Sequence, residues 1–374
     1  MKRWHVTTAG LLLCIGFGNG VLGVGSTARA DFVFGIPTNL GPVVNSEADI
    51  TGVCVSYDGL SLYFCSDRSD GYGSYDLWIA TREKVGSEWS APVNLGPTVN
   101  STAGCMAPSI SADGLSLYFS DVENPTSEGP LIPGGIGSTD IWVITRDSTD
   151  GQWGPPTNLR APVNHVGGNI CPSISADGLS LHFCSGASRG GSGLYDIWLA
   201  TRKSDGEQWD SPINLGPTVN TGRADIGPSI SSDGLVLFFC SGTYTNSYDL
   251  HMSRQKSEDG TWEGAVKLDS AVNTSSDDLC PNISSDGQTL YFVSNRPGGY
   301  GQRDIWQVPL VPIADFNADG QVGLVDLVML IDTWGTDTVL CDIGPMPWGD
   351  GKVDIEDLKV FVTEWEKENP PAQP

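Results

Sequence analysis

The sequence predicts an all-β chain: a five-bladed β-propeller closed by its own N-terminal strand, with a small α-helical module behind it. Three observations lead there. Asp-Gly recurs at Asp58-Gly59, Asp113-Gly114, Asp177-Gly178, Asp233-Gly234 and Asp286-Gly287, in steps of 55, 64, 56 and 53 residues. A period of this size marks stacked copies of one supersecondary unit. Short alternating runs flank each Asp-Gly, and a helical period emerges only after residue 320.

The third copy shows the elements in order. Ser173 to Ser175 and Ser180 to Phe183 alternate on either side of Asp177-Gly178, the pattern of a hairpin. A Gly/Ser-rich stretch leads to a third strand at Ile197-Trp198-Leu199, and a fourth runs from about Trp209 to Leu215. Four short antiparallel strands per copy make one propeller blade. The fourth strand reads Trp89-x-x-Pro-x-Asn94, Trp153-x-x-Pro-x-Asn158 and Trp209-x-x-Pro-x-Asn214, with Trp262 to Lys267 in copy four. Copy five stops after its third strand, Asp304 to Val308. An unclaimed segment before copy one, Phe34-Gly-Ile-Pro-Thr-Asn39, fits the missing template. Placed in the last blade, it closes the ring and removes the open sheet edges.

The ends of the chain divide accordingly. Residues 1–30 read as an export signal: Lys2 and Arg3, then the apolar run Ala9 to Val24, then the cleavage site Ala28-Arg-Ala30. Residues 31–310 form the propeller, 313–367 the C-terminal module and 368–374 a tail. The expectation is a secreted, periplasmic or cell-surface protein with no membrane span. Losing Lys2, Arg3 and Arg29 takes the formal charge from −25 to −28, which excludes nucleic acid and anionic membrane as partners.

Eight cysteines remain after the signal, without a Cys-x-x-Cys pair and with three histidines, so no zinc site is expected. In a hairpin centred on Asp177-Gly178, Cys171 and Cys184 fall opposite each other. A disulfide there is one expectation for an oxidising compartment, and small buried residues filling the blades is the other.

Asp76, Asp140, Asp196, Asp249 and Asp304 precede the third strand in every copy, and a role repeated five times is a turn or a strand cap. Deviations from the repeat are the place to look for a site. The loops entering the innermost strands carry Asn45, Asn100, Asn164, Asn220 and Asn273, a ring of amides expected at a ligand-binding mouth. Glu47, Asp49, Asp225, Asp277 and Asp278 join them unevenly, with Arg68, Arg189 and Arg296 on the same face. Asp49, Asp225 and Asp277 are the candidate catalytic carboxylates, since paired acids on separate blades are the equipment of a glycosidase.

The stretch Ser284 to Trp306, containing Ser-Asn-Arg-Pro-Gly-Gly-Tyr-Gly-Gln-Arg-Asp-Ile-Trp, resembles the WD40-like repeat of TolB-type periplasmic propellers. Ser66 to Trp78 matches nearly as well, and the resemblance covers about residues 37 to 308. It implies the propeller fold and an interaction platform, with function resting on the site itself.

In the C-terminal module, Asp315, Asn317, Asp319, Gln321 through its carbonyl, and Asp326 stand at positions 1, 3, 5, 7 and 12 of a calcium loop, with Gly320 at the turn. Hard calcium needs this many oxygens, and the spacing wraps them around one ion. Leu327 to Trp334 follows as a helix. A second loop is degraded: Asp350, Lys352, Asp354 and Asp357 fall at positions 5, 7, 9 and 12, while Met346 and Trp348 occupy positions 1 and 3. Asp342 restores an oxygen if residues 343–349 contain an insertion. Lys359 to Trp365 follows as the second helix.

Two loop-helix units in this order resemble a type I dockerin over about residues 313 to 367. The resemblance implies bound calcium and a cohesin-like partner, in the setting of polysaccharide-degrading assemblies. Positions 10 and 11 are Leu324-Val325 and Ile355-Glu356, which departs from the hydroxyl pair of that family. The sequence therefore supports a secreted, non-catalytic propeller binding a protein or glycan. The rival is a secreted glycoside hydrolase, distinguished by three carboxylates converging deep in one channel.

Overall fold

The structure, a computed structural model, describes residues 32–100, 102–122, 132–243, 246–256, 260–317, 321–336, 341–345 and 348–368. The expected export signal, Asp31 and residues 369–374 lie outside the described residues, as does Asp319. The described residues are mostly β, with two α-helices among them, and their strands form antiparallel units in a propeller-like order.

Unit one comprises Ile50–Val55, Ser61–Ser66, Asp76–Thr81 and Val93–Asn94. Unit two comprises Gly104–Ile110, Ser116–Val122, Ile141–Thr145 and Thr157–Asn158. Unit three comprises Asn169–Ile174, Ser180–Gly186, Tyr195–Thr201 and Ile213–Asn214. Unit four comprises Ala224–Ile230, Val236–Thr243, Asn246–Arg254 and Val266–Lys267. Unit five has Asp278–Ile283, Thr289–Ser294 and Asp304–Pro312, and its outer partners come from the N terminus. Thr38–Asn39 and Phe32–Phe34 both pair antiparallel with Asp304–Pro312.

Each hairpin is fastened by one Ser-x-Asp-Gly device. Ser56 Oγ donates to Asp58 Oδ1 at 2.5 Å, Asp58 Oδ1 accepts the Leu60 N–H at 2.9 Å, and Ser56 Oγ accepts the Ser61 N–H at 2.8 Å. The serine–aspartate bond recurs at Ser111–Asp113, Ser175–Asp177, Ser231–Asp233 and Ser284–Asp286. The glycine that follows sits at φ near +70°, which is why Gly stands there five times.

Outer strands are only two residues long, shorter than the run from Trp209 to Leu215 suggests. Trp89, Trp153 and Trp209 turn into the gaps between units instead, and the proline three residues on has no N–H to give a ladder. The acids before the third strands of units one, two, three and five cap the preceding turn. Asp249 of unit four lies inside the strand Asn246–Arg254 and pairs with Lys267 at 2.7 Å instead of capping a turn. Asp76 accepts the Gly73 N–H at 3.0 Å and the Asn94 side-chain amide at 2.9 Å. Asn158–Asp140 and Asn214–Asp196 repeat that amide bond, and Asn39–Asp304 makes it in unit five.

Neighbouring units are tied at their innermost strands by a cycle of side-chain-to-backbone bonds. Cys54 Sγ accepts from Ile110 N (3.4 Å), Ser109 Oγ from Ile174 N (3.0 Å) and Ser173 Oγ from Ile230 N (3.2 Å). Ser229 Oγ then accepts from Ile283 N (3.0 Å), and Asn282 Oδ1 from Val55 N (2.8 Å), which returns to unit one. These residues lie four before each hairpin Asp, a regularity the sequence carries in plain view.

The C-terminal helices are α1 (Leu324–Asp332) and α2 (Ile355–Glu368). Both begin earlier than the apolar runs alone suggest, because the last loop carboxylate caps the first turn. Asp326 accepts the Gly323 N–H at 2.9 Å and Asp357 the Asp354 N–H at 2.6 Å.

Candidate functional site

The axis among the innermost strands is the natural place for a site in this architecture. Its neck is lined by Gly52, Ala107, Cys171, Gly227 and Cys280, with the prolines that follow four of them, around a cavity of only about 20 Å³. In each unit the pairing of first and second strands slips at this point, a β-bulge. Ala107, Cys171 and Cys280 hold φ of 51°, 55° and 47°, a conformation that costs a non-glycine residue energy. A Cβ on Gly52 would come within 2.8 Å of the Ala107 backbone, so the strands nearly touch. Beyond the neck, toward the hairpins, a second cavity of about 60 Å³ is bordered by Ser109, Ser173, Ser229 and Asn282. Among the described residues no carboxylate lines either space.

The bulge also decides the cysteines. Cys184 faces Ile170 rather than Cys171, and the thiols at positions 54, 65, 105, 171, 184, 240, 280 and 341 are all free. Burial pushes the Cys54 thiol up to about 11 and raises Cys65, Cys184 and Cys240 as well, so these thiols stay protonated and inert. His182 is buried beside Trp262, and burial lowers its pKa to about 4.

The expected mouth residues are engaged with the fold. Asn100 Oδ1 accepts the Leu77 N–H at 2.9 Å and its Nδ2 donates to the Leu77 carbonyl at 3.0 Å. Asn45, Asn164, Asn220 and Asn273 make the same pair of bonds to Ile305, Ile141, Ile197 and Leu250, and all five amides are buried. They pin the entering loops instead of facing a ligand. Arg68, Arg189 and Arg296 lie over Phe64 and Trp78, Phe183 and Trp198, and Phe292 and Trp306, and donate to the carbonyls of Val44, Val163 and Val272. Asp278 is buried in an ion pair with Arg296.

The three candidate acids are each engaged with the fold. Asp49 accepts Arg303 Nε at 2.8 Å and the Tyr75 hydroxyl at 2.8 Å. Asp225 accepts the Thr221 N–H at 2.6 Å and the Thr221 hydroxyl at 3.0 Å; burial raises its pKa. Half-buried Asp277 accepts the Tyr248 N–H at 3.1 Å. Glu47 is exposed.

Both C-terminal loops share one frame. Asp326 accepts the Asn317 N–H at 3.0 Å, and Asp357 accepts the Gly344 N–H at 2.8 Å. Asp342 accepts Asp350 N at 2.9 Å and Gly351 N at 2.7 Å, and it stands two residues before Gly344 as Asp315 stands two before Asn317. Seven residues then separate Asp342 from Asp350, where three separate Asp315 from Asp319. The third place falls to Gly344, which offers no side chain. Burial, with Asp357 and Asp350 nearby, lifts the Asp342 carboxyl to about 6. The carboxylates bond backbone amides, and among the described residues no three His, Cys, Asp or Glu side chains converge on a metal position. Asp350 and Lys352 are exposed and Asp354 is half-buried.

No protein-family model matches the chain, and no curated protein matches its sequence. Solved structures do. The catalytic domain of a GH62 α-L-arabinofuranosidase from Coprinopsis cinerea superposes with a TM-score of 0.50 at 12% identity, over 74% of this chain and 96% of that one. Arabinanase Arb43A from Bacillus subtilis gives 0.49 at 17% identity, over 73% and 97%. TolB from Acinetobacter baumannii gives 0.43 at 16% identity, over 71% of this chain and 56% of that one. At such identities the likeness is one of fold: TolB-type and glycoside-hydrolase propellers both stand among the neighbours. No described helix is long and apolar enough to cross a membrane.

Proposed function

We propose that this chain is an exported five-bladed propeller, closed by its N-terminal strand, that acts as a non-catalytic binding platform and carries a calcium-binding, dockerin-like module. The observation that carries the non-catalytic reading is the channel itself. A glycosidase needs two carboxylates facing one sugar across about 5 to 10 Å. Here the neck holds about 20 Å³, and Asp49, Asp225 and Asp277 are each bonded to a different part of the fold. A protein or glycan would bind on the outer face, and a cohesin-like domain is the partner the C-terminal resemblance suggests.

Calcium would be held in loop one by Asp315, Asn317, Asp319, the Gln321 carbonyl and Asp326, and in loop two by Asp342, Asp350, the Lys352 carbonyl, Asp354 and Asp357. The burial that, with Asp357 and Asp350 nearby, lifts Asp342 is what a divalent ion would offset. When bound, the ion supplies charge neutralisation to the loops and takes no part in chemistry.

The mature protein incubated with arabinan, xylan and aryl glycosides tests the reading. No sugar release is expected. Hydrolysis by the wild type that is lost in Asp49→Asn, Asp225→Asn or Asp277→Asn would establish the glycoside hydrolase instead.

A further inference from the structure

Gaps between units have a recurring filling. Trp153 of unit two packs edge-on against Tyr63 of unit one, with centroids 6.4 Å apart, and Trp262 of unit four does so against His182 of unit three at 6.3 Å. Arg82, Arg146 and Arg202 lie 4.2, 4.4 and 4.5 Å from the centroids of Trp89, Trp153 and Trp209. The same arginines sit beside Tyr291, Tyr63 and Tyr118 of the preceding unit.

The gap between units four and five lacks every one of these parts. The outer strand supplied by the N terminus has Phe34 where the template has Trp. The facing position, five residues after the hairpin Asp, is Phe238 instead of Tyr or His. The position of Arg82, six residues after the third-strand Asp, is Leu310. Into this gap comes Trp348, from the insertion between Asp342 and Asp350. Only 5% of its surface is exposed, and it belongs to one apolar cluster with Phe32, Phe238 and Leu310. Its ring lies 6.4 Å from Phe238 and 6.1 Å from Phe32, both edge-on. Its Nε1 donates to Oδ2 of Asp233, the hairpin aspartate of unit four, at 2.8 Å.

We infer that the insertion in the second C-terminal loop is a clasp: Trp348 replaces the missing gap tryptophan and fixes the C-terminal module to the units that the N-terminal strand joins. The module is then part of the closed ring instead of a swinging tether. This holds whether or not either loop takes a cation, and it is independent of what the propeller face binds.

Calorimetry and circular dichroism of the mature full-length chain test it, with Trp153→Ala as the reference for an ordinary gap. Trp348→Ala should lower the melting temperature by about 10 °C, comparable to Trp153→Ala. It should also separate the melting of the helical signal from that of the sheets, which are expected to melt together in the wild type. Trp348→Phe keeps a ring in the gap and loses the bond to Asp233, so a fall of about 3 °C is expected, and this variant decides the matter if the alanine form does not fold. Melting indistinguishable from wild type in either variant, or helices and sheets still melting as one in Trp348→Ala, would overturn the clasp.

Discussion

At four junctions the gap between units is filled by the two units themselves, and at the fifth, between units four and five, it is filled where the two ends of the chain meet. The polar fastening is the same in both kinds. Asn39 bonds Asp304 as Asn94 bonds Asp76, and Ser229 accepts from Ile283 as Ser109 accepts from Ile174. The apolar filling differs: Tyr, Arg and Trp give way to Phe238, Leu310 and Phe34, with Trp348 brought from more than 300 residues downstream of Phe34. Buried backbone groups must be paired wherever two units meet, so an acceptor stands at every junction, whether Cys54, a serine or Asn282. Packing has no such constraint and can be met by any side chain of the right shape.

The harshest way to break the comparison is to remove the N-terminal contribution. Deleting residues 31–40 takes away the outer strands of unit five and exposes the edge of Asp304–Pro312. Aggregation or loss of a cooperative melting transition is expected, read by calorimetry and light scattering. A shortened chain that melts like the full one would show that the ring does not depend on its ends.

The C-terminal side of the junction is approached through calcium. If loop one holds calcium as proposed, the carboxylates of Asp315, Asp319 and Asp326 would repel one another until the cation is present, and folding of the module would be coupled to binding. Adding calcium to the chelator-treated mature protein should therefore increase the helical dichroism. Asp315→Ala should weaken that response much more than Asp342→Ala, because the third place of loop two has no side chain. Equal helicity in chelator and calcium would show that the helices pack without metal.

A smaller effect sits in unit two, far from the closing junction. Asp121 stands where the other units have Ser66, Ser185, Ser241 and Ser294, and it is buried. Burial raises its pKa to about 6, only partly offset by the Asp140 N–H it accepts at 2.6 Å. The folded chain thus holds a proton that the unfolded chain has released. Its contribution to stability is fully present below about pH 4 and is lost as pH rises toward 6, about 3 kcal/mol for two pKa units. Asp121→Asn should flatten this slope and stabilise the protein at pH 7, which denaturant melts at pH 4, 5, 6 and 7 would measure. An unchanged slope would mean that Asp121 is solvated.

Much of this was legible in the sequence because the repeat displays it. Five Asp-Gly turns announce the hairpins, and Phe34 to Asn39 announces its pairing through a shared Pro-x-Asn. The bulges were signalled too, by Pro108, Pro172, Pro228 and Pro281 inside strands, but a single proline does not state its φ. The amides at 45, 100, 164, 220 and 273 looked like a mouth because sequence shows a side chain and not its partner. For Asn45 that partner, Ile305, lies 260 residues away. For the same reason an insertion in a loop could be suspected from Asp342, while its destination against Phe238 could not.

The account rests on the N-terminal strand doing for unit five what the fourth strand does for its neighbours, and a matched pair of substitutions measures this directly. Asn39 Nδ2 donates to Asp304 at 2.9 Å, and its Oδ1 accepts from Gly41 N and Asn45 Nδ2, each at 2.8 Å. Asn94 makes the same three bonds at the same lengths to Asp76, Gly96 and Asn100. Asn39→Ala and Asn94→Ala should therefore lower the melting temperature equally, by about 5 °C each for the loss of bonds to a carboxylate and an amide. A full cost at Asn94 with none at Asn39 would contradict closure by the N-terminal strand.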